Sequence, residues 1–75
     1  MIEIFKTNVQ DRTQANNVMR EIHKTFEGYQ VNFDLEDYDR ILRVKSSSGC
    51  IEIILLIELL SASGCIAEVL QDELR

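Results

Sequence analysis

The apolar and polar residues at the start of the chain predict a strand followed by a helix. Residues 1–9 (MIEIFKTNV) are rich in β-branched and aromatic side chains that partly alternate with polar ones, which is typical of a strand. Residues 12–27 change to a helical period, and their apolar stripe is Ala15, Val18, Met19, Ile22 and Phe26. Asp11 precedes the stripe, where a carboxylate caps free backbone N–H groups. Gly28 follows it, at a position that typically ends a helix.

The middle of the chain predicts a β-hairpin. Apolar and polar residues alternate through residues 31–36, and the alternation resumes through residues 42–45. Asp37, Tyr38 and Asp39 supply the turn between the two strands. Acidic residues on the first strand face Arg and Lys on the second, which adds small favourable cross-strand terms.

The last third of the chain predicts a second helix and a closing strand. Residues 50–64 (CIEIILLIELLSASG) fit a buried strand or a helix, but their length, the preceding serines of residues 46–49 and the final Gly64 favour a helix with a serine N-cap. Its predicted core face contains Ile53, Leu56, Ile57 and Leu60. Residues 65–71 (CIAEVLQ) predict a strand with Cys65, Ala67 and Val69 on one face and Ile66, Glu68 and Leu70 on the other. The tail, residues 71–75, is predicted to be frayed.

The resulting order is β-α-β-β-α-β, which predicts a ferredoxin-like α+β fold. In that fold two helices cover one face of a four-stranded antiparallel sheet, because the crossover connections are right-handed. The 75 residues allow a single domain, residues 1–75, with a modest core. A chain of this size buries only about 60–65% of its extended surface, so its stability is marginal.

Charge and the lengths of the apolar runs exclude several classes of partner. The net charge is −5, from 13 acidic and 8 basic residues, and no cluster of Lys and Arg could displace counterions from a nucleic acid. An anionic membrane surface is disfavoured for the same reason. The start of the chain does not resemble a signal peptide, and the longest apolar run, residues 53–57, is too short to span a bilayer. We therefore expect a cytoplasmic protein that binds neither nucleic acid nor membrane.

Several segments together resemble the heavy-metal-associated domain of copper chaperones and metal-transporting ATPases. The resemblance covers nearly the whole chain and rests on KTNV at residues 6–9, the helix stripe, FEGY at 26–29, the acidic hairpin FDLEDYDRILRV at 33–44 and LLSASGCIAEVL at 59–70. That family has the ferredoxin-like fold, so the resemblance implies the same architecture as the hydrophobic pattern. It also implies that the functional loop joins the first strand to the first helix.

The metal-binding signature of that family is missing from this loop. The family motif is Met-x-Cys-x-x-Cys, in which two thiolates hold a soft ion such as Cu(I). Alignment on Ala15 places the motif on Val9-x-Asp11-x-x-Gln14, which contains no sulfur. A carboxylate and an amide oxygen are hard ligands and cannot form a Cu(I) site.

The topology also brings Cys65 to the same end of the sheet, beside Asp11. One interpretation is a remodelled site for a harder or borderline divalent ion, with Asp11, Gln14 and Cys65 as candidate ligands. The other interpretation is that Asp11 caps the helix, Gln14 is solvated and Cys65 packs in the core. Cys50 is predicted at the start of the second helix, about 20 Å from Cys65, too far for a disulfide. His23 lies at the flank of the first helix's stripe.

Surplus apolar residues suggest an interaction surface. The candidates are Ile51, Leu55 and Leu59 on the back of the second helix and Ile66 and Leu70 on the open face of the sheet. Exposed apolar patches often mark interfaces, and association would stabilise a small core. The preferred hypothesis is a non-enzymatic interaction module without a cofactor that forms a homodimer or docks on a protein partner. The alternative is a metal carrier or sensor that binds a transition-metal ion through Asp11, Gln14 and Cys65. Catalysis is not expected, because one His and two distant Cys cannot form a base–nucleophile pair.

Overall fold

The computed structural model describes residues 1–47 and 49–70. Its elements are β1 (Ile2–Thr7), α1 (Arg12–Thr25), β2 (Tyr29–Asp34), β3 (Ile41–Ser46), α2 (Ile53–Ala62) and β4 (Ala67–Val69). The predicted frayed tail, residues 71–75, lies outside the described residues, as does Ser48. No helix in the described part of the chain is long and apolar enough to cross a membrane.

The four strands form one antiparallel sheet in the order β2-β3-β1-β4. β1 is therefore central, with β3 on one side and β4 on the other, while β2 and β4 form the two edges. In this order α1 connects β1 to β2 across β3 and α2 connects β3 to β4 across β1, and the right-handed rule for such crossovers places both helices over the same face. The predicted ferredoxin-like α+β fold is confirmed.

The core lies between this sheet face and the two helices. The largest side chains that are fully buried there are Phe5, Val9, Val18, Ile22, Leu42, Val44, Leu56, Leu60 and Cys65. The predicted stripe of α1 is confirmed, because Ala15, Val18 and Ile22 are buried and Met19 and Phe26 pack against the core. The predicted core face of α2 is confirmed in the same way, with Leu56 and Leu60 buried. The burial of each such aliphatic side chain contributes about 1.5–3 kcal/mol to the stability of the fold.

The end of α1 differs slightly from the prediction. The helix ends at Thr25, two residues before the predicted end, and Phe26 is its C-cap. Gly28 forms the following turn with a φ of +85°, in the left-handed region that glycine adopts without strain. The rings of Phe26 and Tyr29 stack with centroids 4.9 Å apart and so join the helix end to β2.

The start of α2 corrects the sequence prediction. The helix begins at Ile53, and the side chain of its N-cap residue, Glu52, forms no capping hydrogen bond. The predicted serine cap is wrong for Ser46 and Ser47, because β3 continues through Ser46 and Ser47 lies in the turn that follows. Instead, the backbone N–H of Glu52 donates to the hydroxyl of Tyr29 at 2.8 Å. Cys50 therefore lies in a loop before the helix, exposed, and not at a helix N-terminus.

Candidate functional site

Three connections meet at one end of the sheet, which we call the loop end: residues 8–11 between β1 and α1, residues 35–40 between β2 and β3, and residues 63–66 between α2 and β4. Asn8 joins the first connection to the third. Its backbone N–H donates to the carbonyl of Ile66 at 3.2 Å, and its side-chain oxygen accepts from the backbone N–H of Ile66 at 2.9 Å. This reciprocal pair fixes the distance between the two connections.

Thr7 and Arg40 join the β2–β3 turn to the same loop. The Thr7 hydroxyl donates to the carbonyl of Arg40 at 2.6 Å, and the Thr7 backbone N–H donates to the carbonyl of Asp39 at 3.1 Å. Arg40 has a φ of +50°, and its guanidinium donates to the carbonyl of Gln10 at 3.2 Å. The loop end is thus held by hydrogen bonds from all three connections.

Asp11 and Gln14, two of the predicted metal ligands, both accept backbone hydrogen bonds at the junction of the loop and α1. The carboxylate of Asp11 accepts from the backbone N–H of Gln14 at 2.8 Å, so its predicted role as N-cap is confirmed. The amide oxygen of Gln14 accepts from the backbone N–H of Gln10 at 2.9 Å. This arrangement resembles a capping box, in which the side chains at N-cap and N3 satisfy free N–H groups reciprocally. Gln14 is half-buried, whereas the sequence predicted a solvated side chain.

Cys65, the third predicted ligand, lies at the loop end but points into the core. Its side chain is fully buried, and its backbone N–H donates to the carbonyl of Leu60 at 2.8 Å. Burial raises the pKa of the thiol above its usual 9.0, while a hydrogen bond from the Asn8 backbone acts in the opposite direction. The thiol is therefore protonated at neutral pH, whereas metals and electrophiles react with the thiolate.

Other polar side chains are exposed or accept hydrogen bonds from the backbone. His23 is exposed on α1, and Cys50 is an exposed free thiol. In the β2–β3 turn, the carboxylates of Asp34 and Asp37 accept from backbone N–H groups two residues later, at 3.2 and 2.8 Å. Across the described ranges, 1–47 and 49–70, no three His, Cys, Asp or Glu side chains are grouped so that they could hold a metal ion.

The exposed apolar surface differs in part from the predicted one. Leu55 and Ile66 are exposed as predicted, with 51% and 68% of their surface accessible. Ile51 and Leu59 are only partly exposed and pack against the core, and Leu70 is half-buried, so these three contribute little free apolar surface. Ile51 differs from the prediction because α2 starts late, so Ile51 lies in the loop before the helix and packs against the core.

Sequence reasoning missed four exposed apolar or aromatic side chains. Ile54 is 72% exposed beside Leu55 on α2, and Tyr38 is 95% exposed at the tip of the hairpin. Met1 and Ile2 are exposed at the start of β1, by 64% and 57%. The alternation in β1 could have identified Ile2, because Ile2 and Phe5 fall on opposite faces of a strand whose Phe5 is buried.

The open face of the sheet contains a shallow depression of about 240 Å³, which we call the sheet groove. It is lined by Ile2, Gln30, Val31, Asn32, Arg43 and Lys45. Lys45 pairs in register with Ile2 on one side and Gln30 on the other, so an amide, a cation and an isoleucine follow one another across three strands. The neighbouring row repeats this order with Asn32, Arg43 and Ile4.

Comparisons with known proteins add no family assignment to this geometry. No protein-family model matches the sequence, and no curated protein matches it either. The resemblance to heavy-metal-associated domains stays a prediction, while the ferredoxin-like architecture stands on the sheet order and the two helices.

Proposed function

We propose that this protein is a non-enzymatic interaction module, related in fold to heavy-metal-associated domains, that works through apolar surface and not through a bound metal. The observation that carries the proposal is the pair Ile54 and Leu55, which we call the helix patch. These neighbouring side chains are 72% and 51% exposed on α2. Burying a large aliphatic side chain contributes about 1.5–3 kcal/mol, so a partner that covers the helix patch gains a substantial part of its binding free energy there. The occupant is a second copy or another protein.

The chemistry of the loop end supports the same proposal. Asp11 uses a side-chain oxygen to cap α1 and Gln14 uses one to bond the preceding loop, so binding a metal through those oxygens would leave two backbone N–H groups without these acceptors. Metal binding by Cys65 would require the deprotonation of a thiol whose pKa is raised by burial. Both costs disfavour a metal carrier as the function of this chain.

The first test measures the mass of the protein in solution. We expect the wild-type chain to sediment above the monomer mass as its concentration rises, and the double variant Ile54→Ser, Leu55→Ser to dissociate more readily. Glu58→Ser is the matched control, because it changes an exposed residue of the same helix without removing apolar surface. A double variant that associates as strongly as the wild type would show that the helix patch is not the interface.

The second test addresses the metal-carrier alternative. Cu(I), Zn²⁺ and Ni²⁺ are titrated into the wild-type protein while amide shifts are followed by NMR. We expect no saturable shift at residues 9–15 or 62–66. Shifts confined to those ranges and abolished by Cys65→Ser would overturn the proposal and establish a divergent metal site that includes Asp11, Gln14 and Cys65.

A further inference from the structure

The sheet groove is a positively charged site on an acidic protein. Lys45 lies at its centre, between Ile2 and Gln30, and is exposed. The guanidinium of Arg43 lies 3.7 Å from the carboxylate of Asp34, so part of its charge is already compensated. Among residues 1–47 and 49–70, Lys45 forms no ion pair. As far as the described residues show, the groove therefore offers an uncompensated cation, an apolar side chain and amide groups, although the whole chain has a net charge of −5.

The same chain carries a feature of complementary chemistry, which we call the hairpin tip: residues 36–39, Glu-Asp-Tyr-Asp. Tyr38 is 95% exposed, and the carboxylates of Glu36 and Asp37 flank it without an ion pair in the described part of the chain. The tip is preorganised, because Asp37 accepts from the backbone N–H of Asp39 at 2.8 Å. A rigid loop with an exposed tyrosine gives large contact area at a low cost in conformational entropy.

The tip and the groove lie at opposite ends of the β2–β3 hairpin. The turn follows Asp34, whereas Gln30 and Lys45 pair at the far end of the two strands. With about 3.3 Å per residue, Gln30 and Glu36 are roughly 20 Å apart along the chain direction. A molecule therefore cannot place its tip in its own groove, but the tip of one copy can reach the groove of the next.

We infer that copies of this chain associate head to tail, with the hairpin tip of one copy seated in the sheet groove of the next. In this arrangement the Tyr38 ring covers Ile2 and its hydroxyl reaches the amides of Gln30 and Asn32. The carboxylate of Glu36 faces the ammonium of Lys45. The contact joins two different surfaces, so it is heterologous and generates a ring or an open chain of copies.

A second copy is favoured as the occupant because both halves of the contact are present on this chain. The chemistry of the groove is complementary to an exposed aromatic or apolar side chain flanked by carboxylates, and the hairpin tip has that composition. Complementary charges also steer the approach of the tip toward the groove in spite of the net repulsion between acidic molecules. The inference rests on the proposed interaction function and names a second surface for it, separate from the helix patch.

A mixing experiment tests the contact. The groove variant is Lys45→Glu, and the tip variant is Glu36→Lys with Tyr38→Ser, which leaves the turn hydrogen bonds of Asp34 and Asp37 in place. We expect each variant alone to show a dissociation constant raised roughly a hundredfold. In the groove variant carboxylates face each other across the contact, and in the tip variant like charges face each other and the tyrosine ring is missing. An equimolar mixture should form a heterodimer in sedimentation, since the groove variant keeps an intact tip and the tip variant keeps an intact groove.

Controls separate the failure of this inference from the failure of the proposed function. Lys24→Glu on α1 makes the same charge change away from both surfaces and should associate like the wild type. A wild-type chain that stays monomeric at millimolar concentration overturns the inference. The inference is also overturned if the groove and tip variants associate normally, or if their mixture stays monomeric while the wild type associates. If the groove and tip variants associate normally but the variant Ile54→Ser, Leu55→Ser does not, the helix patch stands and only the head-to-tail contact fails.

Discussion

Asp11 and Gln14 occupy the two positions at which the resemblance to heavy-metal-associated domains places thiolates. The carboxylate of Asp11 accepts from the backbone N–H of Gln14 in the first turn of α1 at 2.8 Å, and the amide oxygen of Gln14 accepts from that of Gln10, just before the helix, at 2.9 Å. A helix start leaves several such groups without partners, and a carboxylate there also interacts favourably with the helix dipole. The loop can therefore contribute to the stability of the fold without binding an ion.

The first prediction concerns this cap. Asp11→Ala should lower the free energy of unfolding by about 1 kcal/mol, which is typical of the loss of an N-cap side chain. Urea denaturation measures the change. Asp11→Asn is the control, because the amide oxygen can still accept from the N–H of Gln14, and it should cost only a few tenths of a kcal/mol. If both substitutions cost the same, the charge of Asp11 and not its hydrogen bond is what stabilises the helix.

The second prediction concerns the two thiols. Cys50 is exposed and should react with a thiol reagent at once, whereas the buried Cys65 should react only as fast as the protein opens. Because the folded-state pKa of Cys65 is raised above 9.0, the folded state retains a proton that the unfolded state releases. The stability that this burial provides is fully present below pH 9.0 and should fall as the pH rises from there through the folded-state pKa.

The matched variant for this pH dependence is Cys65→Ala. It removes the titrating group, so the decline of the unfolding free energy above pH 9.0 should become shallower than in the wild type. Identical pH profiles for the wild type and Cys65→Ala would contradict the assignment of the shift to this thiol.

The sequence predicted the roles of Asp11 and Cys65 better than that of Gln14. A carboxylate directly before an apolar stripe and a cysteine on the apolar face of a strand are local patterns, so position alone indicates their environment. The hydrogen bond from Gln10 to Gln14 depends on which rotamer the glutamine adopts after the helix has formed. No local sequence pattern determines that choice.

Among the secondary-structure elements, α2 begins later than the sequence predicted, at Ile53 and not at Cys50. The N–H of Glu52 donates to the hydroxyl of Tyr29, a residue of β2 that is far from it in the chain. Serine-based capping rules consider only neighbouring residues and cannot find such a partner. The apolar period of α2 is local, and the predicted core face that includes Leu56 and Leu60 was confirmed for that reason.

The third prediction follows from this tether. Tyr29→Phe removes the hydroxyl and leaves the N–H of Glu52 without that acceptor, so the unfolding free energy should fall by about 1 kcal/mol. Chemical denaturation measures it, and hydrogen exchange at Glu52 should become faster. Ser47→Ala is the discriminating control. A serine cap would make it costly, whereas the observed structure predicts a change within about 0.5 kcal/mol.

For the whole molecule, hydrophobic periodicity predicted most of the fold, and segment length with Gly64 decided the ambiguous residues 50–64. Six elements with short connections leave few arrangements, and right-handed crossovers place both helices over one face of the observed sheet. The sheet groove could not be found in this way. Ile2, Gln30 and Lys45 are distant in sequence, and only the register of β1, β2 and β3 brings them into one row.

The last prediction distinguishes the two proposed surfaces by their response to salt. Added salt screens the attraction between the hairpin tip and the sheet groove, so head-to-tail association of the wild type should weaken as ionic strength rises. In the variant Lys45→Glu that attraction is absent, and association through the helix patch is the contact that remains. This variant is more acidic than the wild type, whose net charge is −5, so added salt mainly screens the repulsion between copies of the variant. Residual association of this variant should therefore strengthen with salt. Sedimentation at low and high salt gives both trends, and a wild type whose association strengthens with salt would show that apolar contact alone drives assembly.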